Sequence, residues 1–363
     1  MQKKLIALAV ATAFSTPAFA DVSFYGIVDA AVANISASGQ KSDLIATSGA
    51  ASTSRLGVKA TEDIGNGLTA VAVVEYGIDT QDTGTTLTAR QKMLAVAGDF
   101  GTAATGYLQT AAYDFLAKYD PIYGSGSSAH TIVAKGFLVG STAQRAQRAV
   151  AYISPNMNGL VLAANYSTAL AGLGNLTVDS SCTGAVAAAT ATTAACTANS
   201  LKSSAYLLSA NYTVSALSVG AVYAGTSNAN SNGATTSEFA LGGSYDLGMV
   251  KLMGTYQSSK TTGTNASTVL SMAAVMPIST GAIAAMYGKN SIAGVSANSA
   301  SAFTAGYLHT FTKSTTGYIV FSNVSNGSGT NVYSVSNNAL GGTASMDVGG
   351  SSNLIGVGLR KKF

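Results

Sequence analysis

The sequence has no tryptophan, only 4 prolines and 2 cysteines, and 9% charged residues in 363. A soluble domain carries about 25% charge, so little here would keep a dissolved surface monomeric. Its 19 basic and 15 acidic residues nearly balance, and no concentrated basic face exists to bind nucleic acid. Past the N-terminus no long apolar run occurs, because Ser, Thr, Asn and Gly interrupt every candidate. A helical membrane protein is thereby excluded, whereas a barrel strand needs only about 10 residues that are apolar at alternate positions. His130 and His309 are isolated from other ligand-type side chains, so neither a metal nor a cofactor is expected. No serine sits in a nucleophile-elbow setting with acidic and histidine partners, so no enzyme activity is expected.

What is present begins with an export signal. Lys3 and Lys4 precede the apolar run from Leu5 to Phe14, and Ala18-Phe19-Ala20 forms a small-x-small cleavage site. Cleavage after Ala20 would leave one domain, 21–363, with 17 basic and 15 acidic residues. Export also favours a disulfide between Cys182 and Cys196 in one polar segment, the alternative being two free thiols.

The dominant period is two. Phe239, Leu241, Gly243, Tyr245 and Leu247 alternate with Glu238, Ala240, Gly242, Ser244 and Asp246, giving a strand one apolar face and one polar or small face. Turn-forming clusters at Asp63–Gly67, Asp99–Gly101, Ser154–Gly159, near Thr213, at Asp246–Gly248, Met276–Ser279 and Thr312–Ser314 mark seven short connections. Eight longer polar stretches lie near 35–49, 79–86, 110–144, 168–203, 225–236, 259–267, 288–300 and 324–352. Seven short and eight long connections join about sixteen strands. Together they predict an all-β, transmembrane antiparallel β-barrel with short turns at one end and long loops at the other. With no tryptophan, the interfacial girdles fall to Tyr and Phe.

Several segments resemble the general porins of Gram-negative outer membranes, the beta-proteobacterial branch most closely. They are Val22-Ser23-Phe24-Tyr25-Gly26-Ile27-Val28-Asp29, Ser54-Arg55-Leu56-Gly57-Val58-Lys59, Ala89-Arg90-Gln91, Gly98-Asp99-Phe100-Gly101, Ala112-Tyr113-Asp114, Ser154-Pro155-Asn156-Met157-Asn158-Gly159 and the terminal Gly358-Leu359-Arg360. The resemblance implies an outer-membrane homotrimer passing small hydrophilic solutes and ions, with the third loop folded into the lumen. It also implies a constriction with basic wall residues facing acidic ones. Alternation turns Arg55 and Lys59 inward, and likewise Arg90 and Lys92, with Arg145 at the head of a further inward row; Arg148 has outward parity. The acidic side is expected from Asp114, Asp120 and Glu75. Two departures from the family pattern stand out: Pro121-Ile122-Tyr123-Gly124 lacks an acidic residue, and Gly106-Tyr107 lacks a basic one. The surplus of basic candidates predicts a weak anion preference.

Two other uses of such a barrel lie open. Long loops at 168–203 and 324–352 would serve an adhesin or receptor, which has no need of a basic wall and inward loop. A substrate-specific channel would line its lumen with aromatic or dedicated binding rows, and no contiguous inward aromatic row is evident.

Overall fold

The computed structural model describes residues 20–81, 87–122, 124–170, 204–228, 234–335 and 346–363. The expected export signal, Ala20 excepted, and both Cys182 and Cys196 lie outside these.

Seventeen strands form one antiparallel sheet. The first six are β1 (Asp21–Ala37), β2 (Asp43–Ser48), β3 (Arg55–Gly65), β4 (Leu68–Gly77), β5 (Thr88–Gly98) and β6 (Gly101–Gln109). Then come β7 (Arg145–Ile153), β8 (Leu160–Leu170), β9 (Ser204–Val214), β10 (Leu217–Asn228), β11 (Ala234–Asp246) and β12 (Lys251–Thr261). The last are β13 (Ser267–Ile278), β14 (Gly281–Ile292), β15 (Ala300–Thr312), β16 (Thr315–Asn326) and β17 (Ser351–Lys362). Each pairs with its neighbours, and β1 pairs with β17 from Ile27↔Lys362 to Ala37↔Ser352, closing the sheet. Closure satisfies backbone groups along every strand, which hydrocarbon demands.

The barrel has sixteen staves, because β2 and β3 share one. β2 pairs with the upper part of β1, Ala30 to Ile35, and β3 with its lower part, Asp21 to Ile27. The break between them, 49–54, opens at Gly49 with φ +80°. Ser54 pins the break to β1, donating from Oγ to the Asp29 carbonyl and accepting from the Asp29 N–H at 2.9 Å. The long connection expected near 35–49 is instead a short link, 38–42, followed by this interruption. All seven short connections occur at one end. The one expected at Met276–Ser279 is displaced: Pro277 stays in β13 opposite Ala282, and the chain turns after Ile278.

Alternation sets the two faces. Leu208, Leu241 and Ile355 are about half exposed on the outside, while their neighbours Leu207, Ala240 and Leu354 are fully buried inside. The outer surface is therefore apolar and suited to lipid. The terminal Phe363 exchanges backbone hydrogen bonds with Gly26, and its ring lies where a Cβ on Gly26 would sit. A side chain at position 26 would push that ring away from the closing seam.

Candidate channel constriction

The third loop, 110–144, runs between β6 and β7 and folds inward. It contains α1 (Ala111–Tyr119), α2 (Ala129–Val133) and a π-turn (Leu138–Thr142). Thr110 caps α1, its Oγ1 accepting from the Tyr113 N–H, and Ser128 caps α2 by accepting from Thr131. The apolar face of α1, Phe115, Leu116 and Tyr119, is buried against the inner face of β9–β11. Tyr119 rests on Gly220 and Gly242, directly paired across β10 and β11; a Cβ on Gly242 would lie 2.5 Å from the ring. Helix α2 lies over β13–β16, with Gly288 beneath Ala129 and Val133.

Polar bolts complete the docking. Glu238, buried on β11, accepts the backbone N–H groups of Leu138 and Val139 at 2.8 and 2.9 Å. Asn165 on β8 accepts from Ala111, and Asn290 on β14 donates to the Val133 carbonyl. Thr304 and Ser322 both donate to Ser127. His130 is enclosed by Ser271, Thr255 and Gln257, and burial pushes its imidazole down to about 4. The loop thus lies along the β8–β16 half of the lumen. Its tip returns to the break in the second stave, where Thr53 donates to the Gly124 carbonyl.

The opposite wall carries the guanidinium groups. A cleft of about 510 Å³ is bordered by Ser48, Thr53, Asp79, Arg90 and Arg145, and on the loop side by Tyr113, Gly124, Ser125 and Thr131. Arg90 and Arg55 flank Glu75: Arg90 Nε is 2.6 Å and Arg55 Nε 3.7 Å from its carboxylate, which also accepts from Tyr25 Oη at 3.1 Å. Arg145 lies over the Tyr113 ring, 5.0 Å from its centroid, and its Nε and Nη2 find no acceptor among the described residues. Lys59 follows Arg55 and Gly57 on the inward parity of β3 and is exposed there.

Three of the expected site residues are placed elsewhere. Lys92 faces outward. Arg90 is an extra residue in a bulge, since Glu75 pairs with Gln91 and Tyr76 with Ala89, and one added residue inverts the parity that follows. Lys92 accordingly pairs with the outward Val74, its ammonium 5.0 Å from the Tyr76 ring centroid. Asp120 does not line the cleft. It is buried in the loop, accepting from Ser128 and from the Ile122 N–H, and burial raises its carboxyl to about 6. Glu75 belongs to the basic wall, between two arginines, not to the face opposite.

Asp114 is the expected acidic residue that does lie on the loop's exposed side. It accepts from Gln109, which accepts in turn from Gln91 at 3.1 Å, and desolvation raises its carboxyl. The two glutamines thus tie α1 to the wall at its root. Sequence reasoning missed Glu238 as a clamp, although it is an acidic side chain far from the turn on an inward row that continues through Ala240, Gly242 and Ser244. It also missed the inward break at 49–54, which reads as ordinary loop.

Comparison with known proteins accords with this geometry. Outer membrane porin protein 32 of Delftia acidovorans is 34% identical over 169 residues, 44% of this chain. The chain spans about half the length of the curated relatives it matches, 47% in that case. Among solved structures, an anion-selective porin from Comamonas acidovorans aligns over 95% of this chain and 100% of its own with TM-score 0.77 and 23% identity. The trimer form of OmpT from Vibrio cholerae aligns over 95% and 99% with TM-score 0.64 and 17% identity. At those identities the solved structures establish the fold. The Gram-negative porin family model matches residues 7–330, and with a sixteen-stave barrel bearing an inward third loop, this chain belongs to the Gram-negative porin family, proteins of the outer membrane.

Proposed function

We propose that this chain forms an aqueous diffusion channel for small hydrophilic solutes and ions, with a weak preference for anions and without catalysis or cofactor. The observation that carries the reading is the imbalance of charge in the cleft. Arg90 and Arg145 border it, with Arg55 and Lys59 on the same wall, against Asp79 at its edge and Glu75, the one carboxylate in ion-pair contact with the arginines among the described residues. Low-dielectric walls keep the field of these groups from being screened as it would be in bulk water. Arg145 borders the cleft with its guanidinium over the Tyr113 ring and no carboxylate in ion-pair contact among the described residues. Asp114 on the loop side, tied up by Gln109, offsets the wall only in part. The constriction residues in this reading are Arg55, Lys59, Arg90, Arg145 and Asp114. A zero-current potential measured across a planar bilayer in a salt gradient should show anion preference; cation preference rejects it.

A homotrimer is part of the proposal. An outward row of Tyr206, Tyr223, Phe239, Tyr256, Tyr287, Phe303 and Phe321 runs from β9 to β16, as a lipid-facing girdle requires. On β17, β1, β3 and β4 the outward midstrand positions include Ile355, Val357, Val28, Ala30, Val32, Val58, Ala60, Ala70, Ala72 and Val74. Small aliphatic groups there suit close approach of a second barrel wall. Conductance rising in multiples of three supports the trimer. The export signal belongs to the same reading, and a mature chain starting at Asp21 by mass spectrometry supports it.

A further inference from the structure

Outward-facing charge on this barrel is unevenly distributed. At the long-loop end, four cationic side chains stand on outward positions. Lys92 is opposite Val74, Lys260 opposite Ser237 in the row of Phe239, and Lys289 opposite Leu270 in the row of Tyr287. Arg148 is the fourth. β6 and β7 form a bulge in which Gly106 meets Ala149 and Leu108 meets Ala146, leaving Gln147 and Arg148 together opposite Tyr107. Ala146 and Ala149 are buried inside, whereas Gln147 and Arg148 are exposed, Arg148 with φ +47°. Among the described strand residues, no outward position at that end is Asp or Glu. The short-turn end differs: Glu62 stands outward there, and Lys361 is already bonded to Ser314 and Thr315.

Depth adds to sign. Lys289 lies two residues beyond the outward Tyr287, and Lys260 two beyond the row that joins Ser258 to Phe239. Arg148 lies two beyond Val150, which pairs with the outward Tyr166. Aromatic girdles mark the edge of the hydrocarbon, so these cations stand at headgroup level, where long basic side chains reach out of the apolar layer.

Lys92 and Arg148 are the closest of the set. Lys92 pairs with Tyr107, and Tyr107 faces the bulge that carries Arg148. Two strand spacings separate them, about 10 Å between Cα atoms, within reach of one tetrahedral anion for two long side chains. The Arg148 side chain has no hydrogen-bond or ion-pair partner among the described residues, and the Lys92 ammonium has only the Tyr76 ring.

We propose that Lys92 and Arg148 together hold the phosphate of an anionic lipid headgroup on the outside of the barrel at its long-loop end, with Lys260 and Lys289 extending the same preference around the rim. Charge-assisted bonds to phosphate oxygens, one set from a planar guanidinium, supply the affinity. The site is separate from the lumen and does not depend on what the channel conducts.

The full-length protein in zwitterionic detergent is titrated with phosphatidic acid and, separately, with phosphatidylcholine of the same acyl chains, and bound lipid is counted by native mass spectrometry. Phosphatidic acid is expected to bind about tenfold more tightly. K92Q/R148Q should lose most of that preference, while K361Q, outward at the other end, retains it. K92R/R148K should retain it too, which separates charge from folding. Equal binding of the two lipids by the unaltered protein overturns the proposal without any variant. An undiminished preference in K92Q/R148Q, or an equal loss in K361Q, overturns it as well. Conductance of the same preparations reports on the channel independently.

Discussion

The two halves of the lumenal wall solve opposite problems. From β3 to β7 the inner face carries Arg55, Lys59, Glu75, Arg90 and Arg145 and borders open space. From β8 to β16 it carries small or singly polar groups, Gly220, Gly242, Gly288, Ser271, Thr304 and Ser322, and the third loop covers it. A wall that borders open space can carry charged side chains, because water solvates their exposed parts. A wall that receives a loop must be shallow and must match each buried polar group with a partner. Between these two walls, charge is concentrated where the third loop does not dock, and the exception buried beneath that loop is Glu238.

That exception should give the largest effect. Glu238→Ala leaves the N–H groups of Leu138 and Val139 buried without an acceptor, and each such orphan costs about 1–3 kcal/mol. The π-turn should detach, and hydrogen exchange across 134–144 should rise by orders of magnitude while the strands stay protected. Unchanged exchange would mean the loop is held by its apolar contacts alone. Gly242→Val comes next, because its side chain would meet Tyr119 and Phe115; overpacking costs about 1–3 kcal/mol. Single-channel conductance should become noisy and larger as α1 lifts off, whereas Gly243→Val, whose Cβ meets only a backbone oxygen at 3.9 Å, should leave conductance unchanged.

The wet wall answers to charge instead of packing. Arg145→Gln removes one unit charge without opening a cavity. Two charges about 5 Å apart in a water-like medium interact by about 1 kcal/mol, so anion-over-cation permeability should fall about two- to fivefold. Arg90→Gln should do less, because Glu75 already neutralises Arg90 at 2.6 Å. If both changes were equal, the salt bridge would have no bearing on the field that ions meet.

How far the two walls were legible in the sequence follows the same division. Strand alternation and turn residues identified the staves, the loop ends and the inward direction of Arg55 and Lys59, since period and turn chemistry are local. The break in the second stave was not legible, because Gly49-Ala50-Ala51-Ser52 has the composition of any loop. Nor was the bulge at Arg90. Gln91 and Lys92 are both polar, so nothing in the pattern signals that one residue has been added and the parity inverted; only the register with β4 does. Asp120 and Glu75 are expected at the cleft because the resemblance asks for acidic groups there, Asp120 lying in the third-loop segment. Their partners, Ser128 from eight residues on and Arg90 from the neighbouring stave, depend on tertiary folding.

The smallest expected effect is acid response, and it is small because two groups on the docked loop oppose each other. His130 is held near 4 against an ordinary 6.5 by burial. The docked loop therefore binds fewer protons than the released one, and docking weakens as pH falls from about 6.5 toward 4. Asp120 is raised to about 6 from 3.8, also by burial, so the docked loop holds its proton longer and docking strengthens as pH falls from about 6 toward 4. Each pKa difference corresponds to about 3 kcal/mol, and the two nearly cancel over the same window. Around these two groups, in 120–133 and away from the Glu238 clamp, unaltered protein should therefore show almost constant exchange protection between about pH 6.5 and 4. Asp120→Asn removes one side of the balance, and its loop should loosen in acid. His130→Gln removes the other, and its loop should tighten. If both variants kept the flat profile of the parent, neither group would be titrating where its burial places it, and the near-constancy would have another origin.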